Sequence, residues 1–220
     1  IALVFADYRS RFDTFVVEYG KTYVGATREK RFNIFKQNVI KAEQMTREDP
    51  LATYGITKFM DLTEAEFRAQ IACYHSPSES EKKYDPTAPV GIGGPNYNDC
   101  DWVGTRVTRV KNQGQCGSCW AFSAVGCMEG AWIYAGHGKQ EFSEQQCVDC
   151  DKASYGCNGG WMDNCFKYAI ANGMDAESDY TYTARTGTCK ASQYTPVGHF
   201  KGYQDLSGEA GIDSELCTVG

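Results

Sequence analysis

The 220-residue sequence lacks a surplus of basic residues and lacks long apolar segments. Its formal net charge is −6, with 22 Lys and Arg against 28 Asp and Glu. A surface that binds nucleic acid needs clustered Lys and Arg, so this balance argues against a nucleic-acid partner. No apolar run approaches the roughly 18 residues that a membrane-spanning helix requires, so no membrane span is expected. The composition predicts a folded globular protein.

Cysteine is almost absent from residues 1–95, which contain only Cys73, whereas residues 96–220 contain the other ten. Ten thiols in that stretch are typical of a protein crosslinked in an oxidising compartment. Charge divides in the same place: residues 1–95 carry 13 basic and 13 acidic residues, and the remainder carries 9 and 15. We therefore expect an appendage followed by a disulfide-rich domain of the secretory or endosomal pathway.

The first part has helical periodicity. Aromatic residues spaced by four, three and four predict an amphipathic helix over residues 7–20: Tyr8, Phe12, Phe15 and Tyr19. Residues 27–48 repeat the pattern, and the capping box that begins at Thr63 predicts a short helix to about Gln70. The apolar residues 1–6 fit either the end of a signal peptide or the first turn of the first helix.

Residues 76–95 contain four prolines and three glycines, a composition typical of a linker and of a protease target. The predicted organisation is therefore a small helical domain at 1–75, a linker at 76–95 and a second domain at 96–220.

The second part predicts three helices. Residues from Cys119 to about Tyr134 are apolar nearly all round, as in a helix buried on every side. A second capping box begins at Ser143, and a further helix runs from Trp161 to the residue before Gly173. Beyond it, short runs rich in Tyr, Thr and Val suggest strands and loops.

The strongest chemical signal is the segment Cys116-Gly-Ser-Cys119-Trp120. A cysteine that begins a buried helix meets unpaired backbone N–H groups and the positive end of the helix dipole, which stabilise negative charge on its sulfur. Gln113, six residues earlier, offers an amide donor for charge that develops on a substrate carbonyl.

Three other interpretations of these cysteines stay open from the residues alone. Cys116 and Cys119 suit a redox pair, and together with Cys147 and Cys150 they suit a four-thiolate zinc site. All four also suit structural disulfides, whose connectivity cannot be deduced from sequence.

The sequence resembles the papain family (cathepsin-L-like cysteine proteases), with matching motifs at residues 113–122, 142–146, 149–151 and 155–160. The resemblance implies that Cys119 is the nucleophile and Gln113 the oxyanion-hole donor. It implies the disulfides Cys116–Cys157 and Cys150–Cys189. It also implies four substrate-binding residues: Gly159 and Gly160, which would pair with the substrate backbone, and Trp161 and Met162, which would edge a specificity pocket.

The first part resembles the inhibitory propeptide of the same family. Two motifs carry this resemblance, the first formed by Arg31, Phe35 and Asn38 and the second by Gly55, Phe59 and Asp61. Both match incompletely, with substitutions at Thr27, Ala42, Thr46 and Thr57. The resemblance implies a zymogen whose propeptide acts as an intramolecular inhibitor. It also implies that cleavage in the linker, near residues 90–98, frees the mature enzyme.

In this family the catalytic His and Asn follow the nucleophile by about 130–150 residues, whereas 101 residues follow Cys119 here. His75, His137 and His199 are interpreted as ordinary loop or surface residues. The expectation is a partial sequence of a cysteine-type endopeptidase, inactive alone. The alternative is a natural truncation that acts as a pseudoenzyme or a propeptide-type inhibitor.

The sequence thus predicts an α+β papain-like fold: a helical lobe and the start of a β-rich lobe, preceded by a helical inhibitory pro-domain. The expected partners are protein or peptide substrates and cystatin-like inhibitors, and no cofactor or metal is implied. The expected location is a lysosome, a digestive vacuole or the extracellular space. Cys147–Cys165 and Cys100–Cys127 are suggested bridges, with Cys73 and Cys217 unassigned.

Overall fold

The computed structural model describes residues 2–70, 101–206, 212 and 216. It divides the chain into two compact units, Ile1–Ala69 and Gln70–Gly220. The first contains helices α1 (Ala2–Glu18), α2 (Gly25–Glu48) and α3 (Glu64–Gln70). The second contains α4 (Cys119–Tyr134), α5 (Glu144–Cys150), α6 (Met162–Asn172) and a 3₁₀ turn, Ala191–Gln193. The predicted linker at 76–95 and the cleavage region up to residue 98 lie outside the described residues.

The first unit is built on the paired helices α1 and α2. Its buried side chains come from the predicted apolar faces of both: Phe12, Phe15, Phe32, Phe35 and Val39. Helix α1 begins five residues before the predicted start, so residues 2–6 belong to the helix. The chain leaves α1 through Gly20, whose φ of +60° is a left-handed conformation that glycine adopts without a steric penalty.

Three motif residues fix the segment after α2 to that helix and to the turn before it. Arg31 donates to the backbone oxygen of Asp61 at 2.9 Å, and Asn38 donates to the carbonyls of residues 60 and 62 at 2.8 and 2.9 Å. The carboxylate of Asp61 is fully buried, and it accepts hydrogen bonds from Lys21 and Tyr23.

The other three motif residues have no polar side chain. Phe35 lies in the core, and Phe59 packs edge-on against Phe67. A Cβ at Gly55 would meet no atom within 4 Å, so the structure gives no steric reason for that glycine.

The predicted capping box at the start of α3 is formed in both directions. The N–H of Thr63 donates to Glu66 Oε2 at 2.9 Å, and the N–H of Glu66 donates to Thr63 Oγ1 at 3.2 Å. Arg31 also donates to Glu66 Oε2, at 2.8 Å. These hydrogen bonds, that of Arg31 first, lower the pKa of Glu66 from 4.5 to about 2. The ionised carboxylate therefore joins α2 to α3.

We expect the first unit to lose stability as the pH falls from about 5 to 2. A carboxyl whose pKa is depressed by folding stabilises the folded state above its ordinary pKa, and this stabilisation is lost as it is protonated. Glu66→Gln should lower the free energy of unfolding at pH 7 by about 1 kcal/mol and should make its pH dependence shallower. Urea denaturation of residues 1–75 between pH 7 and 3, followed by circular dichroism, measures the free energy of unfolding and its dependence on pH.

Glu64→Gln is the control, since Glu64 forms an exposed pair with Arg68. This variant should keep the wild-type slope of unfolding free energy against pH. Equal slopes for all three proteins would contradict this role of Glu66.

The second unit is organised around α4, which packs against α5 and α6. The buried residues of α4 include Trp120, Ala121, Ala124, Val125 and Met128. The prediction that α4 is buried all round is wrong for one face, because Ser123, Gly126 and Cys127 are exposed. That face is apolar or small in sequence, so composition did not distinguish it from the buried face.

A buried ion cluster fixes the chain before α4 to α4 and α5. Lys111 Nζ lies 2.6 Å from Glu129 Oε1 on α4 and 2.6 Å from Glu144 Oε1 on α5. Glu129 also accepts the N–H of Phe142 at 2.8 Å and the hydroxyl of Thr108 at 2.5 Å. A buried charge is tolerated when it is paired and hydrogen-bonded in this way.

The second predicted capping box is only half formed. The hydroxyl of Ser143 accepts the N–H of Gln146 at 3.0 Å, as in a capping box. The side chain of Gln146 does not return to Ser143. It donates to the carbonyl of Gly173 at 3.3 Å and accepts the N–H of Asp175 at 2.7 Å. Long-range contacts therefore replace the local one.

Residues 174–206 form no continuous strand in the part of the chain that the structure describes. Single bridges join Phe142 to Ala176 and Met174 to Gly198. Side chains of α5 accept backbone N–H groups that would otherwise be free to pair with a neighbouring strand. Gln145 Oε1 accepts the N–H of residue 183, and Asp149 Oδ1 accepts the N–H of residue 187. Residues 183–187 are therefore held against α5 as a loop.

Candidate active site

Cys119 is the first residue of α4 and carries a free, partly exposed thiol. The buried Ser118 is the N-cap residue, and its carbonyl accepts the N–H groups of Ala121 and Phe122 at 2.9 and 3.1 Å. The first turn of α4 contains no acidic residue. The sulfur therefore lies at the positive end of a helix whose side is packed in the core, where negative charge is stabilised.

Gln113 precedes this helix with its side chain held in one orientation. Its Nε2 donates to the carbonyl of Cys116 at 2.8 Å. A primary amide has two N–H donors, so one remains for another acceptor. The turn after Gln113 is set by Gly114, whose φ is +66° and whose N–H donates to Asn112 Oδ1 at 2.9 Å.

The disulfide Cys116–Cys157 joins the segment before α4 to a glycine-rich loop. The N–H of Gly117 donates to the carbonyl of Cys157 at 2.9 Å, and the indole of Trp120 donates to the carbonyl of Gly156 at 3.1 Å. Since Cys119 lies between Gly117 and Trp120, these contacts fix the loop beside the start of α4.

The four expected substrate-binding residues lie in or directly after this loop. Gly159 has a φ of +110°, and its N–H and C=O bond to residues 156 and 155 inside the turn. A Cβ at Gly160 would lie 2.7 Å from Trp120 Cδ2, so close packing requires this glycine. Trp161 is the partly exposed N-cap of α6, and Met162 packs against the core around α4.

Tyr182 is a residue of the site that the sequence reasoning missed. Its hydroxyl donates to the carbonyl of Gln113 at 2.8 Å and lies 2.5 Å from Ser118 Oγ. Its ring packs edge-on against Phe122, with the centroids 4.8 Å apart. No local motif marks Tyr182, because its partners lie 64 and 69 residues earlier in the chain.

The cysteine pairing excludes two interpretations that the sequence left open. Three disulfides are formed among the described residues: Cys116–Cys157, Cys147–Cys165 and Cys150–Cys189. The four-thiolate zinc site would need three of these sulfurs, and the redox pair would need Cys116. The suggested bridge between Cys100 and Cys127 is wrong, because Cys127 is a free thiol. Three other cysteines lie outside the described residues: Cys73, Cys100 and Cys217.

Neither described histidine lies beside Cys119. His137 follows the far end of α4, a 16-residue helix about 24 Å long, and stacks on Trp132 with ring centroids 4.0 Å apart. The ring of His199 lies against Gly173, after the last residue of α6. His75 is outside the described residues.

Among the described residues no group of three His, Cys, Asp or Glu could hold a metal ion, and no helix is long and apolar enough to cross a membrane.

Comparison with known proteins finds two matching families. Residues 96–220 match the papain family cysteine proteases, and residues 12–67 match the cathepsin propeptide inhibitor domain. Cysteine proteinase 15A of Pisum sativum is 42% identical over 197 residues, which cover 81% of this chain and 52% of that protein. Cathepsin L 2 of Paramecium tetraurelia is 36% identical over 202 residues, covering 86% and 62%. The chain thus spans about half to three fifths of the length of these relatives.

Solved structures of related precursors have the same fold. A recombinant stem bromelain precursor superposes with a TM-score of 0.77 at 33% identity, covering 96% of this chain and 70% of that one. Digestive procathepsin L2 from the larval midgut of Tenebrio molitor superposes with a TM-score of 0.79 at 30% identity, covering 97% and 73%. The predicted combination of a helical pro-domain and a papain-like lobe is therefore confirmed.

Proposed function

The chain belongs to the papain family of cysteine proteases, and on this basis we propose that it is part of an endopeptidase zymogen whose nucleophile is Cys119. The observation that carries the proposal is the free thiol at the first residue of α4, three residues after Cys116, which is in a disulfide. A thiol held apart from crosslinking at the N-terminus of a buried helix suits a nucleophile.

In the proposed reaction, an imidazole takes the proton of the Cys119 thiol, and Sγ attacks the carbonyl carbon of a peptide bond. The free N–H of Gln113 Nε2 and the backbone N–H of Cys119 donate to the oxygen as it becomes negative. The C–N bond then breaks, the amine leaves with a proton from an imidazole, and a thioester remains that water hydrolyses. The described residues place no imidazole at Cys119, so this group has to come from outside them.

Substrate binding is proposed for the loop that the Cys116–Cys157 disulfide holds beside the nucleophile. Both backbone groups of Gly159 are engaged inside its own turn, so pairing with the substrate main chain is assigned chiefly to Gly160. Trp161 and Met162 follow it and offer an apolar surface. A bulky apolar or aromatic substrate side chain fits this composition.

The assay of this proposal uses the protein expressed at the full length of its gene, after removal of the first domain. Peptide hydrolysis that stops when Cys119 is alkylated would support it. A processed protein that does not hydrolyse peptides but inhibits another papain-type protease would contradict it and would favour the inhibitor alternative.

The segment from residue 1 to residue 75 is proposed to inhibit the processed enzyme, because it contains the matched propeptide inhibitor domain. Added as a separate polypeptide, it should inhibit at micromolar concentration or below in a steady-state peptidase assay. Asn38→Ala should weaken inhibition, since it removes both hydrogen bonds that fix residues 60 and 62. The exposed Lys30→Ala on the same helix is the matched control. Absence of inhibition at micromolar wild-type segment would contradict the assignment.

The compartment and the inhibitors of the enzyme are also part of the proposal. Three disulfides fit folding in the secretory pathway. The relatives include cathepsins, which supports a lysosome, a digestive vacuole or the extracellular space. Cystatin-like proteins are proposed as inhibitors of the processed enzyme.

A further inference from the structure

The hydroxyl of Tyr182 connects the two segments that carry the nucleophile and the oxyanion donor. A phenol has one hydrogen to donate, and the carbonyl of Gln113 can only accept, so this hydrogen points to Gln113 at 2.8 Å. The hydroxyl of Ser118 must then donate to Tyr182 in the 2.5 Å contact. The result is a series of two hydrogen bonds, from the hydroxyl of Ser118 to that of Tyr182 and from Tyr182 to the backbone carbonyl of Gln113.

The position of Tyr182 is itself fixed. Its ring lies edge-on to Phe122 in the first turn of α4, and its N–H donates to Glu177 Oε1 at 2.9 Å. Two residues later, the Cβ of Ala184 lies 3.1 Å from where a Cβ on Gly114 would stand. The segment 182–184 is therefore packed against the turn that aims the side chain of Gln113.

Burial raises the pKa of Tyr182 above its ordinary value, so the phenol keeps its proton at every pH where a cysteine peptidase works. The donor to Gln113 is consequently permanent. Such a contact holds a backbone segment without taking part in proton transfer.

We propose that Tyr182 is a positioning residue that sets the distance between the amide of Gln113 and the sulfur of Cys119. This role of Tyr182 rests on the proposed function, because the distance between the two groups matters for catalysis only if both act on one carbonyl. Tyr182 touches neither substrate nor the reacting atoms. It acts through Gln113, by holding the backbone from which the donor projects.

Tyr182→Phe tests the proposal, because it removes the hydroxyl and keeps the ring on Phe122. We expect kcat to fall about tenfold with little change in KM, since loss of alignment affects the transition state more than binding. The rate is expressed per active site, counted by alkylation of Cys119, so a smaller folded fraction does not imitate the effect. Tyr180→Phe is the matched control, since it removes a buried hydroxyl bonded to Asp149 at 2.7 Å. It should lower the melting temperature and leave kcat per site unchanged.

A double-mutant cycle with Gln113→Ala separates positioning from a purely structural role. If Tyr182 acts through Gln113, adding Tyr182→Phe to Gln113→Ala should lower kcat by less than twofold beyond Gln113→Ala alone. A full tenfold further loss, or a wild-type kcat for Tyr182→Phe, would overturn the proposal. An inactive wild-type protein would instead contradict the proposed peptidase function, so the two failures are distinguishable.

Discussion

Cys119→Ser should abolish peptide hydrolysis, with a loss in kcat of about 10⁶-fold, the scale seen when a protease loses its nucleophile. A serine hydroxyl holds its proton far more tightly than a thiol. It therefore supplies almost no anion for attack on the carbonyl, although it stands in the same place at the start of α4. The measurement is the rate of cleavage of an internally quenched peptide by the processed enzyme.

Cys127→Ser is the control for this substitution. Cys127 is the other free thiol among the described residues, it lies on the same helix, and it is exposed. Its replacement should leave the cleavage rate unchanged, because it lies eight residues, about 12 Å along the helix, from Cys119. Substantial activity in Cys119→Ser, or a comparable loss in Cys127→Ser, would contradict the assignment of the nucleophile.

Gln113→Ala should lower kcat by about 10²–10³-fold, the usual cost of one oxyanion donor. The donated hydrogen bond strengthens as charge develops on the carbonyl oxygen, so it favours the transition state over the bound substrate and KM should change little. Gln113→Glu should lose at least as much, because a carboxylate repels the same developing charge. Steady-state kinetics on one peptide substrate give both constants.

Gln115→Ala provides the matched control in the same segment. Gln115 is exposed and lies two residues after Gln113. Its replacement removes an amide of the same size that is not the proposed oxyanion donor. The value of kcat should therefore be retained. If Gln113→Glu kept the wild-type kcat, or if Gln115→Ala lost as much as Gln113→Ala, the oxyanion role would be wrong.

Local signals predicted most helices of the structure. The aromatic spacing of the first part predicted the faces that form the core of α1 and α2, and the capping box at Thr63 is formed as expected. The start of α4 at Cys119 also follows from sequence, because the apolar run begins there. These features depend on residues within one or two helical turns of each other, so a pattern can show them.

Long-range contacts explain what the patterns did not predict. Gln146 has the spacing of a capping box, yet its amide bonds to Gly173 and Asp175 because the fold brings them close. The exposed face of α4 has small residues and no charge, so only the neighbouring elements of the fold decide that it stays exposed. Tyr182 reaches Gln113 across 69 residues, and no spacing rule joins them.

The proposal that Cys119 is the nucleophile is most directly tested by trapping an acyl intermediate. The processed enzyme is mixed with a good ester or peptide substrate and quenched in acid within one turnover. It is then digested at acid pH, and its fragments are sequenced by mass spectrometry. We expect one acyl group on Cys119 and none on Cys127. An acyl group on any other residue, or turnover without an acylated fragment, would contradict it.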